Sequence, residues 1–185
     1  MFQLRIHGRG GQGVVTAAEL VSIAAFIEGK HAQAIPSFGS ERMGAPVVAY
    51  ARIDEAPIEI TEPVMSPDLL IIQDPTLFHA IDVFTGLVAD GFVLINTGRP
   101  LSDLHIQDVV DRLPAHHVAT VAATELALRH LDRPTPNTVL LGALTALTDV
   151  LRLDSVIGAI EQKFSGDVAR RNIEAARAAY ESCST

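Results

Sequence analysis

The sequence predicts an α/β fold of three layers, with a mostly parallel sheet, an added β-hairpin and a helical C-terminal part. Three observations point there. Phe2, Leu4 and Ile6 alternate with Gln3, Arg5 and His7, the period of a strand with one apolar face. A glycine-rich turn then feeds an apolar, alanine-rich run from about Gln12 to Glu28 that reads as a helix. Further along, the runs LLIIQ (69–73) and FVLIN (92–96) have the length and the bounding turn residues of buried strands. Strand-then-helix alternation of this kind builds a sheet covered by helices.

Between these anchors, VVAYARI (47–53) and IEI (58–60), separated by DEAP, read as a hairpin. PTLFHAIDVFTGLVADG (75–91) reads as a short helix after Asp74-Pro75 closes the preceding strand, although a strand-end carboxylate such as Asp74 also occupies a usual site position. HHVATV (116–121) followed by TELALRHL repeats the strand–helix pattern. From Pro136 onward three helical stretches follow, with Asn137, Asp154 and Asp167 available as N-caps. There is no repeat, no low-complexity segment and no linker, so residues 1–185 are expected to form one domain. A chain of 185 residues with 48% hydrophobic residues can bury a substantial core.

Composition excludes several functions. A formal net charge of −8, without a basic stripe, argues against nucleic acid as a partner. No apolar run is long enough to span a membrane, and the N-terminus lacks the regions of a signal peptide, so a soluble cytoplasmic protein is expected. The single cysteine, Cys183, cannot supply a disulfide framework or the ligands of an iron–sulfur cluster. Of the seven histidines, His116-His117 is the closest pair, and adjacent strand residues point to opposite faces. His7 could face a ligand beside the glycine turn, but is expected on the outer side of a half-buried strand. No G-x-S-x-G elbow, H-E-x-x-H helix or Walker loop is present.

The informative stretch is HGRGGQG (7–13), whose glycines 8, 10 and 13 spell G-x-G-x-x-G. A dinucleotide fold also needs an acidic residue at the tip of its second strand. Glu28 has the right offset but sits where the first helix ends, and HAQAI runs into Pro36 without a carboxylate, so the NAD reading weakens. Two readings of the loop stay open. The glycines permit a tight, closely packed strand-to-helix turn; equally, the free N–H groups of the helix start and the charge of Arg9 suit an anion. A second loop, within AQAIPSFGSERMGAP (32–46), places Glu41 and Arg42 just beyond a strand end, where ligands of such sheets sit.

GRGGQGVVTAAEL, AQAIPSFGSERMGAPVVAYARI, SPDLLIIQDPTL, PNTVLLGALTAL and NIEAARAAYE, in this order across nearly the whole chain, closely resemble the gamma subunit, or gamma domain, of the 2-oxoacid:acceptor oxidoreductases. The resemblance implies a subunit of a complex that decarboxylates a 2-oxoacid (pyruvate, branched-chain or aryl) oxidatively to acyl-CoA and CO2. It implies thiamine diphosphate, Mg2+, [4Fe-4S] clusters and coenzyme A as cofactors, none bound wholly by this chain. The implied partners are thiamine-binding alpha and beta subunits and a ferredoxin-like delta subunit, with ferredoxin or another carrier accepting the electrons. Where family members often carry two arginines, this chain has Arg42 followed by Met43. A self-sufficient thiamine enzyme needs Gly-Asp-Gly and a later asparagine to hold its magnesium; ADG (89–91) with Asn96 five residues on has the wrong spacing. The candidate cofactor contacts are Gly8, Arg9, Gly10, Gly11, Gln12 and Gly13 of the first loop, with Ser37, Glu41 and Arg42 of the second, and no catalytic residue is assigned. A free-standing NAD- or flavin-binding oxidoreductase and a purely structural assembly subunit are the alternatives.

Overall fold

The computed structural model describes residues 1–36 and 43–183. Its centre is a mixed six-stranded sheet in the order β2-β3-β1-β4-β5-β6. β1 (Phe2–Arg9) is parallel to β4 (Leu69–Ile72), which continues in parallel to β5 (Phe92–Asn96) and β6 (Val118–Val121). On its other edge β1 pairs antiparallel with β3 (Pro46–Asp54), and β3 pairs antiparallel with β2 (His31–Pro36). Helix α1 (Val14–Ile27) therefore carries the chain from β1 past the position of β3 to the edge, and β3 returns into the gap.

One face of the sheet is covered by α1, α3 (Ala123–Leu131), α4 (Asn137–Leu147), α5 (Leu153–Lys163) and α6 (Gly166–Cys183), around a core that includes Leu4, Ile6, Leu20, Ile71, Leu94 and Leu140. Helices α4 and α6 approach until a Cβ on Gly142 would lie 2.0 Å from the Ala176 carbonyl oxygen, so only glycine fits there. The opposite layer is thin. It consists of 3-10 turns at Pro75–His79 and Leu101–Leu104 and the short α2 (Gln107–Val110), packed on Leu70, Ile72, Val93 and Ile95.

The expected hairpin forms with a different partner. Residues 58–60 are not a strand; β3 pairs with β2 instead. The reason is Arg52, only 2% exposed, which reaches from β3 to the carbonyl of Glu62 at 2.5 Å and to Gln3 and Gln33 at 3.2 Å. The segment after β3 thus lies across the sheet as an acceptor for a buried guanidinium rather than along it as a strand. Similarly, the helix expected over 75–91 shortens to one 3-10 turn, because Arg5 draws the carbonyls of Val83 and Thr85 onto the sheet. Asp154 and Asp167 lie in the first turns of α5 and α6 rather than at their caps, where their charge still favours the helix dipole.

His7 departs most from expectation. It is not on an outer face but 6% exposed, because β1 is covered on both sides, and neither ring nitrogen has a hydrogen-bond partner among the described residues. Burial, assisted by the nearby charge of Arg5, lowers its pKa to about 4. The unfolded chain binds this proton near pH 6.5, whereas the folded chain refuses it until about pH 4, so stability falls as pH drops through that window. The loss amounts to about 3 kcal/mol across the window, at roughly 1.4 kcal/mol per unit. Urea unfolding between pH 7 and 4 is expected to show this slope, and His7→Leu is expected to flatten it; an unchanged slope in the variant would rule out His7 as its origin.

Candidate functional site

The parallel strands deliver their carboxyl ends to one edge of the molecule, and β1 ends there in the glycine loop. Three of its glycines have packing reasons. A Cβ at Gly8 would lie 2.6 Å from Val14 Cγ2 and 3.0 Å from the side-chain oxygens of Gln12 and Gln73. Gly13 caps α1 in the left-handed region, φ 73°, with Asn137 so close that a Cβ would meet its Nδ2 at 2.3 Å. Gly11, also at positive φ, lies against Met43. The glycine pattern therefore serves close approach of β1, α1, α4 and the returning second loop.

The two loops adjoin where both are described. Gly10 N–H donates to Ala45 O at 2.9 Å and Gly44 N–H donates to Gly10 O at 3.1 Å, making a parallel bridge between Gly10 and Met43. Ser37, Glu41 and Arg42 lie outside the described residues. Arg9 fastens the junction. Its Nη1 donates to Gly44 O at 3.0 Å and its Nη2 to Thr76 Oγ1 at 2.7 Å, while its Nε lies 3.2 Å from Asp74 Oδ2. Gln12 closes the loop on itself: its Oε1 accepts from Arg9 N at 2.7 Å and its Nε2 donates to Asp74 Oδ2 at 3.1 Å.

Asp74 is the common acceptor, and it also caps the 3-10 turn that follows, taking the N–H of Thr76 at 3.0 Å and its hydroxyl at 2.6 Å. Partial burial opposes its ionisation, but the Thr76 and Gln12 hydrogen bonds and the charge of Arg9 outweigh that and hold the carboxyl below its ordinary value. The strand-end carboxylate of LLIIQD thus organises the loops. Because Arg9 is engaged by Asp74, Thr76 and Gly44, its charge is used within the chain. What remains open to a ligand is the start of α1, which has no side-chain cap. It borders a hollow of about 450 Å³ lined by Arg9, Gly10, Gly11, Val15, Thr16 and Pro36.

Other candidate groups lie elsewhere. Glu28, considered for a ribose, sits at the far end of α1 beside Lys30 at 3.0 Å and the Arg152 N–H at 2.7 Å. His116 and His117 belong to a 3-10 turn ahead of β6 rather than to a strand, and His117 stacks on Phe92 at 3.9 Å. Among the described residues, no group of three His, Cys, Asp or Glu side chains could hold a metal ion, and no helix is long and apolar enough to cross a membrane. Thr76 and Thr16 escaped sequence reasoning. The signal for Thr76 is its place two residues after a strand-end Asp; nothing in the sequence distinguishes Thr16.

Asp74→Ala is expected to leave Arg9, Gln12 and Thr76 without their acceptor and to cost about 1–3 kcal/mol in chemical denaturation. Faster hydrogen exchange at the Gly10 and Gly44 amides would accompany the loss. An equally stable variant with unchanged exchange would show that the loops hold together without Asp74.

Comparison with known proteins agrees with this architecture. The family model described as pyruvate ferredoxin/flavodoxin oxidoreductase matches residues 3–182. The "Pyruvate/ketoisovalerate oxidoreductases common subunit gamma" of Pyrococcus abyssi is 46% identical over 181 residues, 98% of this chain and 96% of that protein. The "Pyruvate synthase subunit PorC" of Methanothermobacter marburgensis is 44% identical, over 98% of this chain and 97% of its own. Among solved structures, the pyruvate oxidoreductase subunit PORC of Thermotoga maritima superposes with a TM-score of 0.81 at 34% identity, covering 97% of this chain and 95% of that one. A glycine loop stitched to a second loop at the edge of a mixed sheet, on a chain matched almost end to end, leads to one conclusion: the chain belongs to the pyruvate ferredoxin/flavodoxin oxidoreductase family.

Proposed function

We propose that this chain is the gamma subunit of a thiamine-diphosphate-dependent 2-oxoacid:acceptor oxidoreductase, a cytoplasmic complex that converts a 2-oxoacid and coenzyme A to acyl-CoA and CO2 while two electrons pass to ferredoxin or another acceptor. The observation that carries the reading is the end-to-end similarity to gamma and PorC subunits, including 46% identity to a subunit named as common to pyruvate and ketoisovalerate oxidoreductases. In this reading the partners are alpha and beta subunits that bind the thiamine and a ferredoxin-like delta subunit that carries [4Fe-4S] clusters. The chain's lone cysteine cannot ligate a cluster, which fits that division of labour. Bound to those partners, thiamine diphosphate would supply the electron sink that decarboxylation of a 2-oxoacid needs.

This chain's contribution is a shaped edge. The loops around Gly8–Gly13 and Ser37–Gly44 face the partner near the thiamine or coenzyme A site, and the bare start of α1 offers N–H groups to a phosphate of either cofactor. Gly10 and Gly11 keep side chains out of the way, Gln12 and Arg9 fix the loop through Asp74, and Arg42 brings a further positive charge. The fit rests on the uncapped helix start and the hollow of about 450 Å³ in front of it.

The complex reconstituted with partner subunits separates cofactor contact from assembly. Thr16→Glu adds an acid to the first turn of α1, which favours the helix itself and repels an approaching phosphate. It is expected to leave assembly intact and to raise KM for coenzyme A about 5- to 100-fold, the equivalent of one charge-assisted contact. Arg42→Ala is expected to act in the same direction. Normal KM values in both assembled variants would exclude the phosphate contact, and failure of the chain to join any larger complex would exclude the subunit reading.

A further inference from the structure

On the far side of Gln12 from that hollow lies a second recess, about 510 Å³, between the carboxyl ends of β4 and β5 and the start of α3. Gln73, Asn96, Thr97, Arg99, Thr124 and Glu125 line it. Most of its polar atoms are settled. Asn96 Nδ2 donates to the carbonyl of Gln73 and to Thr124 Oγ1, both at 2.7 Å, and its Oδ1 accepts the Thr124 N–H at 3.0 Å, so the rim of β4, β5 and α3 is tied together.

Gln73 is the exception. It is 1% exposed, yet both its Nε2 and its Oε1 are without a hydrogen-bond partner among the described residues. Native structures hold few such groups, because an orphaned buried amide forfeits the hydrogen bonds it made to water. Its oxygen and that of Gln12 each lie 3.0 Å from where a Cβ on Gly8 would sit, so the glycine leaves the two amides side by side at the strand end. Gln12, the outer and half-exposed amide, is held at this place among the described residues by the Arg9 N–H and the Asp74 carboxylate. Beside the recess, the side chains of Arg99 and Glu125 are exposed and make no hydrogen bond or ion pair among the described residues, leaving one charge of each sign uncommitted.

We infer that this recess is a binding site for a planar ligand group that carries a hydrogen-bond donor beside an acceptor, the edge shared by aminopurines and primary carboxamides, with Gln73 as the residue that reads it. A glutamine amide is complementary to that edge and to few others: a carboxylate offers no donor and an ammonium no acceptor. The bound state gives Gln73 the two partners it lacks, and Gln12 moves aside to admit the group. A ligand shifts such an equilibrium only by its differential affinity, and the orphaned amide provides it. This inference does not depend on the phosphate contact proposed for the glycine loop, since it concerns a separate recess and is tested on the full chain alone.

Adenosine and nicotinamide each present the edge, on a purine and on a carboxamide, and titration of either into the isotope-labelled chain separates the two sources. The expected result is saturable shifts of the Thr97, Gly98 and Thr124 amides by one of them, in a range up to about 10 mM. Gln73→Leu is expected to weaken binding about tenfold or more, and Gln12→Ala to strengthen it, since the group in the way is gone. Glu125→Trp, a surface substitution at the recess, keeps the test valid should Gln73→Leu unfold the chain, and is expected to abolish binding by filling the entrance. No saturable shift with either compound, or shifts that Gln73→Leu and Glu125→Trp leave unchanged, would overturn the inference and assign the Gln73 amide to buried water.

Discussion

The structure depends on the position of β1. Paired on both edges and covered on both faces, it places its neighbours directly: β3 and β4 by hydrogen bonding, α1 by close packing over Gly8, and part of the thin second layer by the reach of Arg5. A strand enclosed this way cannot shift register without moving Leu4 and Ile6 off the helical face and Arg5 and His7 onto it. The loop that follows is therefore fixed in place at its start. Its other end is fixed by α1, and Asp74 holds the span between them through Arg9 and Gln12.

Electrostatics divides the molecule into two parts. Around the loops, charges pair within the chain: the carboxylate of Asp74 stays ionised against partial burial because donors surround it. Behind them, on the second face, two buried arginines donate to main-chain carbonyls: Arg5 to Val83 and Thr85, with its Nε left without a partner among the described residues, and Arg52 to Glu62 and to the glutamine oxygens of Gln3 and Gln33. Arginine suits this task, since its planar fork distributes several donors over a stretch of irregular backbone and keeps its charge under desolvation. These contacts explain why a sheet face with few apolar residues near β3 is nonetheless covered.

Much of this was legible in the sequence, and the rest was hidden for definite reasons. The alternation of Phe2–His7, the apolar runs LLII and FVLI and the three C-terminal helices carry their own period, so they appear where expected. The pairing of β3 does not follow from periodicity, because the segment HAQAI is as strand-like as IEI and only the burial of Arg52 decides between them. The burial of His7 was hidden for the same reason: a polar residue on an alternating strand reads as solvent-facing unless the covering layer is known. At the site, Gly8–Gly13 and Asp74 stand out in sequence by type and place. Their connection through Thr76 and Gly44 spans positions far apart in the chain, and no local pattern records it.

The contact between Gly142 and Ala176 has a temporal consequence. Helix α6 supplies Ala175, Ala176 and Ala179 to the same core that receives Leu4 and Ile6, so residues about 170 positions apart in the sequence share one apolar cluster. At the usual 5–20 residues per second, roughly ten seconds or more of synthesis separate them. During that interval the apolar face of β1 and α1 is shielded only by its neighbours on the nascent chain. The helical side of the core closes only once α6 has been synthesised, so the emerging polypeptide exposes apolar surface that the folded chain does not.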